Sequence, residues 1–105
     1  MNVVQLKSEE ELEKTLLGKG ILTIWVDWSI GQYNCKRLYH FLEEKKYPHS
    51  VYEIDIDIFP REKQLELLGI ALHGWGEIFA FDKGKIISKY TGKESFEEFK
   101  KNFHH

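Results

Sequence analysis

The stretch Ile21–Leu38, "ILTIWVDWSIGQYNCKRL", decides the fold. From Ile21 to Trp28 it is a nearly continuous apolar run rich in β-branched and aromatic residues. A strand covered on both faces has that pattern. After Gly31 the period changes. Cys35, Leu38 and Leu42 fall at i, i+3 and i+7, with Phe41 widening the stripe, which predicts a helix from about Tyr33 to Lys46. Pro48 forbids its continuation. A buried strand running into an amphipathic helix is half of a parallel crossover, and Cys35, the one cysteine of the chain, sits on the first turn of that helix.

Working outward, "NVVQL" reads as a short first strand. In "KSEEELEKTLLGKG", Ser8 and Glu11 have capping-box spacing and acids fill the first turn. Gly18 and Gly20 are expected to end that helix. "VYEIDIDIF" alternates Ile54, Ile56 and Ile58 with Asp55 and Asp57, which predicts a strand over the whole segment. Pro60 suits the first turn of a helix ending at Gly69. "EIFAF", "DKG" and "KIISKY" read as a hairpin with Gly84 at its tip. The last helix places Phe96, Phe99 and Phe103 on one face, with Ser95 and Glu98 at capping-box spacing. The order is βαβαβαββα, an α/β chain with a mixed central sheet and helices on both faces. Residues 1–105 are read as a single domain, with His104 and His105 set aside as a possible tag remnant.

Composition agrees with a folded domain, at 42% hydrophobic and 30% charged residues. With 15 basic against 17 acidic side chains the formal charge is −2, which argues against nucleic-acid and membrane-surface partners. A lone cysteine excludes an internal disulfide framework, and no apolar run has the length of a signal sequence or a membrane span. A cytoplasmic location is the expectation.

The order of elements, with a Trp-turn-Cys-Lys junction after the second strand, resembles the thioredoxin family over essentially the whole chain. "IWVDWSIGQYNCKRL" is similar to the family's apolar strand, Trp, short turn and C-x-x-C-K. "EIDIDIFP" and "HGWGEIFAFDKGKIISKYTG" resemble its following strand and its cis-proline hairpin. The resemblance implies a thiol-disulfide oxidoreductase ancestry. It also implies a groove for an extended peptide, between the first turn of the second helix and the loop before the hairpin.

The chemical residues of the family are mostly replaced. Cys35 stands at the resolving-cysteine position, but Gln32 stands where the nucleophilic cysteine would be. Gly76 occupies the cis-proline position and Glu77 the usual threonine. The buried acid of the family should lie two residues before Trp28, where the chain has Val26; Asp27, one residue on, points to the opposite face of a strand. Dithiol exchange needs one thiol to attack and a second to resolve, so the usual cycle has no start here.

Two sets of candidates follow. Gln32 and Cys35 mark the catalytic position; Trp28, Tyr33, Asn34, Trp75 and Gly76 are the candidate binding residues of the groove. Cys35 and His40 lie about 140° apart on a helix, and adding His73 makes only two ligands near one another, so no metal site and no cofactor is expected. The first reading is a non-catalytic module that binds a protein or peptide at the ancestral groove. The alternatives are a single-thiol redox protein working through Cys35, and a disulfide oxidoreductase whose nucleophile was replaced at position 32.

Overall fold

The computed structural model describes residues 2–25, 31–70, 72 and 75–103. Five strands form one sheet in the order β1-β3-β2-β4-β5, where β1 is Val3–Gln5, β2 Lys19–Trp25, β3 Val51–Asp55, β4 Trp75–Asp82 and β5 Lys85–Tyr90. The first three pair in parallel, with Ile21 and Val3 both opposite Val51. The last two are antiparallel. The apolar run therefore supplies the central strand, as its composition predicts.

Alternation along β2 sorts side chains between two cores. Leu22 and Ile24 join Leu12, Ile54, Phe79 and Phe81 on one face, under α1 (Glu9–Leu16) and α3 (Arg61–Leu68). Ile21 joins Leu38, Leu42, Val51, Ile78, Phe96 and Phe99 on the other, under α2 (Gly31–Glu44) and α4 (Ser95–Asn102). Thr23 shares the face of Ile21 and is fully buried, which places a hydroxyl beneath α2.

Several boundaries depart from the sequence expectation for local reasons. Ser8 does cap α1, its Oγ accepting from the Glu11 N–H. That helix ends before Leu17, however, and Gly20 belongs to β2. There the Ser50 carbonyl lies 2.9 Å from where a Cβ would stand, so only glycine fits. The β4–β5 turn has positive φ at both Lys83 and Gly84, the backbone of a two-residue hairpin turn matched to strand twist. Its N–H groups donate to the Gly18 and Leu16 carbonyls, so the hairpin tip satisfies the end of α1.

The expected strand over 51–59 stops at Asp55. The Asp55 carboxylate accepts from the Asp57 N–H at 3.0 Å and turns Ile56–Ile58 into a 3₁₀ turn; this local bond competes with the ladder. Pro60 is the N-cap of α3 rather than its first residue. Gln64 latches that segment, donating to the Phe59 carbonyl and accepting from the Leu72 N–H. Helix α2 starts two residues earlier than Tyr33 and ends at Glu44, with Lys46 at φ 55° and the Tyr47 N–H bonded to the Leu42 carbonyl. That is a Schellman-type stop with lysine in the left-handed position. Ser95 is the first helical residue of α4 and not its cap; its hydroxyl is used elsewhere.

Candidate functional site

The early start of α2 moves Cys35 off the helix terminus. It is the fifth residue of the helix, behind the four N–H groups that a helix leaves unpaired. Gln32 and Tyr33 occupy that open first turn. Both are exposed, Tyr33 at 61%, whereas Cys35 is 3% exposed.

Beneath the helix the thiol lies 3.1 Å from the Thr23 hydroxyl. One turn further along α2, the Tyr39 hydroxyl donates to Glu53 of β3. Burial pushes the Cys35 thiol up to about 12; hydrogen bonding with Thr23 and Tyr39 opposes this, and the negative charges of Glu53 and Glu77 add to it. Burial also raises the Tyr39 hydroxyl, with the neighbouring thiol and Glu53 acting in the same direction. At neutral pH this cluster holds a protonated, covered thiol. A nucleophilic cysteine needs the reverse, a thiolate in an accessible and electropositive setting.

Gly76, at the position the resemblance gave to a cis-proline, has a different backbone. In the β2–β4 ladder Ile24 pairs with Glu77 and Trp25 with Trp75, so Gly76 is an extra residue between them. Its φ is +87°. A bulge with a left-handed glycine re-aims a strand end, and no proline can adopt that φ. Among the described residues there is no cis peptide bond. The bulge is held from two sides. Ser95 Oγ donates to the Gly76 carbonyl at 2.8 Å, and the buried Asn34 Nδ2 donates to the Trp75 carbonyl at 3.0 Å and to that of Lys93 at 3.4 Å. The Trp75 N–H donates to the Glu77 carboxylate at 2.9 Å.

Of the predicted binding residues, the structure brings Tyr33, Asn34, Trp75 and Gly76 to one end of the sheet, with different duties. Asn34 and Gly76 are buried and structural. Tyr33 is exposed and Trp75 half-buried, and each ring carries a cation: Arg37 over Tyr33 at 5.4 Å and Lys93 over Trp75 at 5.8 Å. Trp28, Val26, Asp27 and His73 lie outside the described residues. No group of three metal-ligating side chains occurs among the described residues, and no helix there is long and apolar enough to cross a membrane.

Sequence reading missed Thr23, Tyr39, Glu53 and Ser95. Two of them left a signal: Thr23 interrupts an apolar run, and Tyr39 stands four residues after Cys35 on the same helical stripe. Glu53 meets Tyr39 only through the pairing of β2 with β3, which no local pattern encodes.

The sequence matches no protein-family model and no curated protein. Solved structures do match in shape. Reduced thioredoxin pre-protein from Schistosoma mansoni is 19% identical with a TM-score of 0.67, over 96% of this chain and 95% of that one. Oxidised thioredoxin O2 from Arabidopsis thaliana is 18% identical at 0.69, over 98% and 96%. Oxidised mitochondrial thioredoxin 3 from Saccharomyces cerevisiae is 14% identical at 0.67, over 94% and 92%. With the strand order and the helix placement above, these likenesses make the chain a thioredoxin-fold protein with a single cysteine.

Proposed function

We propose that this protein is a non-catalytic module, acting in the cytoplasm, that binds a protein segment at the end of the sheet where thioredoxins keep their dithiol. The burial of Cys35 carries this reading. A covered thiol pushed up to about 12, without a second cysteine in the chain, supports neither attack on a disulfide nor its resolution. Tyr33 and Trp75 remain as large aromatic surfaces beside it, and such residues are over-represented in binding hot spots. The Trp75 carbonyl accepts from Asn34 and its N–H donates to Glu77, both within the chain. Recognition therefore rests on side-chain faces rather than on addition of a strand.

The test is selection of a random peptide library on the folded protein. Captured peptides should carry apolar or aromatic anchors, and Tyr33→Ala should weaken them by about tenfold, the scale of a modest hot spot. Capture that is insensitive to both Tyr33→Ala and Trp75→Ala would overturn the proposal. Capture that is released by dithiothreitol and lost in Cys35→Ser would instead establish the single-thiol redox reading.

A further inference from the structure

Next to that groove, with the Arg37 that stacks on Tyr33 on its wall, a cleft of about 580 Å³ lies between α2 and α4. Arg37, His40, Phe41 and Glu44 enter it from α2 and Lys45 from the residue after that helix; Phe96, Lys100 and Phe103 enter from α4 and its end. Its floor is aromatic. Phe41 meets Phe96 and Phe103 edge-on, at centroid distances of 5.9 and 5.3 Å. The cations stand on these rings: Arg37 4.6 Å and Lys100 5.8 Å from the Phe96 centroid, and Lys45 5.7 Å from that of Phe41. Their charges are only partly answered. Arg37 pairs with Glu97 at 2.6 Å, whereas neither Lys45 nor Lys100 has a carboxylate partner among the described residues; the Glu44 carboxylate, 2.8 Å from the His40 ring, also lines the cleft.

We infer that this cleft binds a small amphipathic carboxylate, an aryl- or acyl-chain acid. The apolar body lies against the half-buried Phe103 and the exposed edges of Phe41 and Phe96, and the carboxylate sits between Lys45 and Lys100. The volume falls in the usual range of small-molecule sites, about 300–1,000 Å³. A partner helix fits less well. Phe41 and Phe96 are only 9% and 4% exposed, so the cleft offers a narrow apolar strip instead of the broad face an amphipathic helix needs. With Arg37 answered by Glu97, Lys45 and Lys100 against the one Glu44 carboxylate leave the rim net positive, which favours an anion.

The probe is 4-phenylbutanoate, titrated into the ¹⁵N-labelled full chain and followed by amide shifts, with 4-phenylbutanamide as the uncharged control. Saturable shifts confined to α2 and α4 are expected, absent with the amide. The double variant Lys45→Gln, Lys100→Gln, at two exposed positions and with its fold checked by circular dichroism, should weaken binding by about fivefold, as for two exposed ion pairs. Equal binding of the amide, shifts centred elsewhere, no saturable shift, or no effect of the double variant would each overturn the proposal. So would tight displacement of the acid by an acidic helical peptide, which would make the cleft a protein-docking surface. Peptides selected at Tyr33 and Trp75 should bind the double variant unchanged, so the two sites stand or fall separately.

Discussion

At Cys35 the thiol and the Thr23 hydroxyl share one buried contact, 3.1 Å long. Cys35→Ala removes a small group and leaves that hydroxyl short of a partner, so it should cost about 1–2 kcal/mol. Thr23→Val in the same background should recover part of the loss, because it removes the orphaned group. A double-mutant cycle by urea denaturation measures the coupling; strictly additive losses would mean the contact has no energetic content. Reactivity gives a second reading of the same residue. A thiol held at about 12 should label slowly in the native protein even at pH 9 and rapidly in denaturant. Equal rates would show the thiol to be accessible. Gly76 is a further residue-level case. Its φ of +87° makes Gly76→Ala costly by about 1–2 kcal/mol, and Gly76→Pro, which would restore the family's residue, should do more damage than alanine. Equal or greater stability of the proline variant would refute the bulge.

The first turn of α2 keeps the geometry needed for a C-x-x-C pair even though it lacks one. Residues 32 and 35 are three apart in a regular helix, where Cα atoms fall within the roughly 4.4–6.8 Å that a disulfide accepts. Gln32→Cys should therefore oxidise reversibly without change in circular dichroism, with the 32–35 bond found by peptide mass mapping. Two free thiols persisting under strong oxidant in a folded protein would contradict the helix start described above. At the same end of the sheet, Ser95 ties α4 to the bulge through the Gly76 carbonyl. Ser95→Ala should cost about 1–2 kcal/mol, as for a buried acceptor left unpaired. An unchanged denaturation midpoint would show that α4 does not support the bulge.

Over the whole molecule, burial of acidic protons sets an alkaline limit. Burial raises Cys35 and Tyr47 to about 12 from ordinary values of 9.0 and 10.0, and raises Tyr39 as well. The unfolded chain then releases these protons first. Stability should hold below about pH 9 and fall as pH rises toward 12, by up to about 1.4 kcal/mol per pH unit for each group. Cys35→Ala should flatten the first part of that fall, between pH 9 and 10, where the tyrosines contribute little. An identical slope in wild type and variant would place the thiol outside the linkage.

What the sequence determined by itself is the architecture. The apolar run from Ile21, the helical stripe through Cys35, Leu38 and Leu42, and the Gly84 hairpin are local patterns, because burial on one face or two leaves its period in the chain. That Gln32, Tyr33 and Cys35 lie within about one turn of one helix was legible for the same reason. What only the tertiary structure decided is what those residues are free to do. Asn34 is committed to two carbonyls about forty and sixty residues away. Gly76 is a bulge because β2 and β4 slip by one residue around it. The Cys35 thiol is buried and pushed up where Thr23, Tyr39 and Glu53 come together from a strand, a helix and another strand. Protonation and accessibility depend on neighbours brought by strand pairing, and pairing registers are set by the packed sheet and not by any single segment.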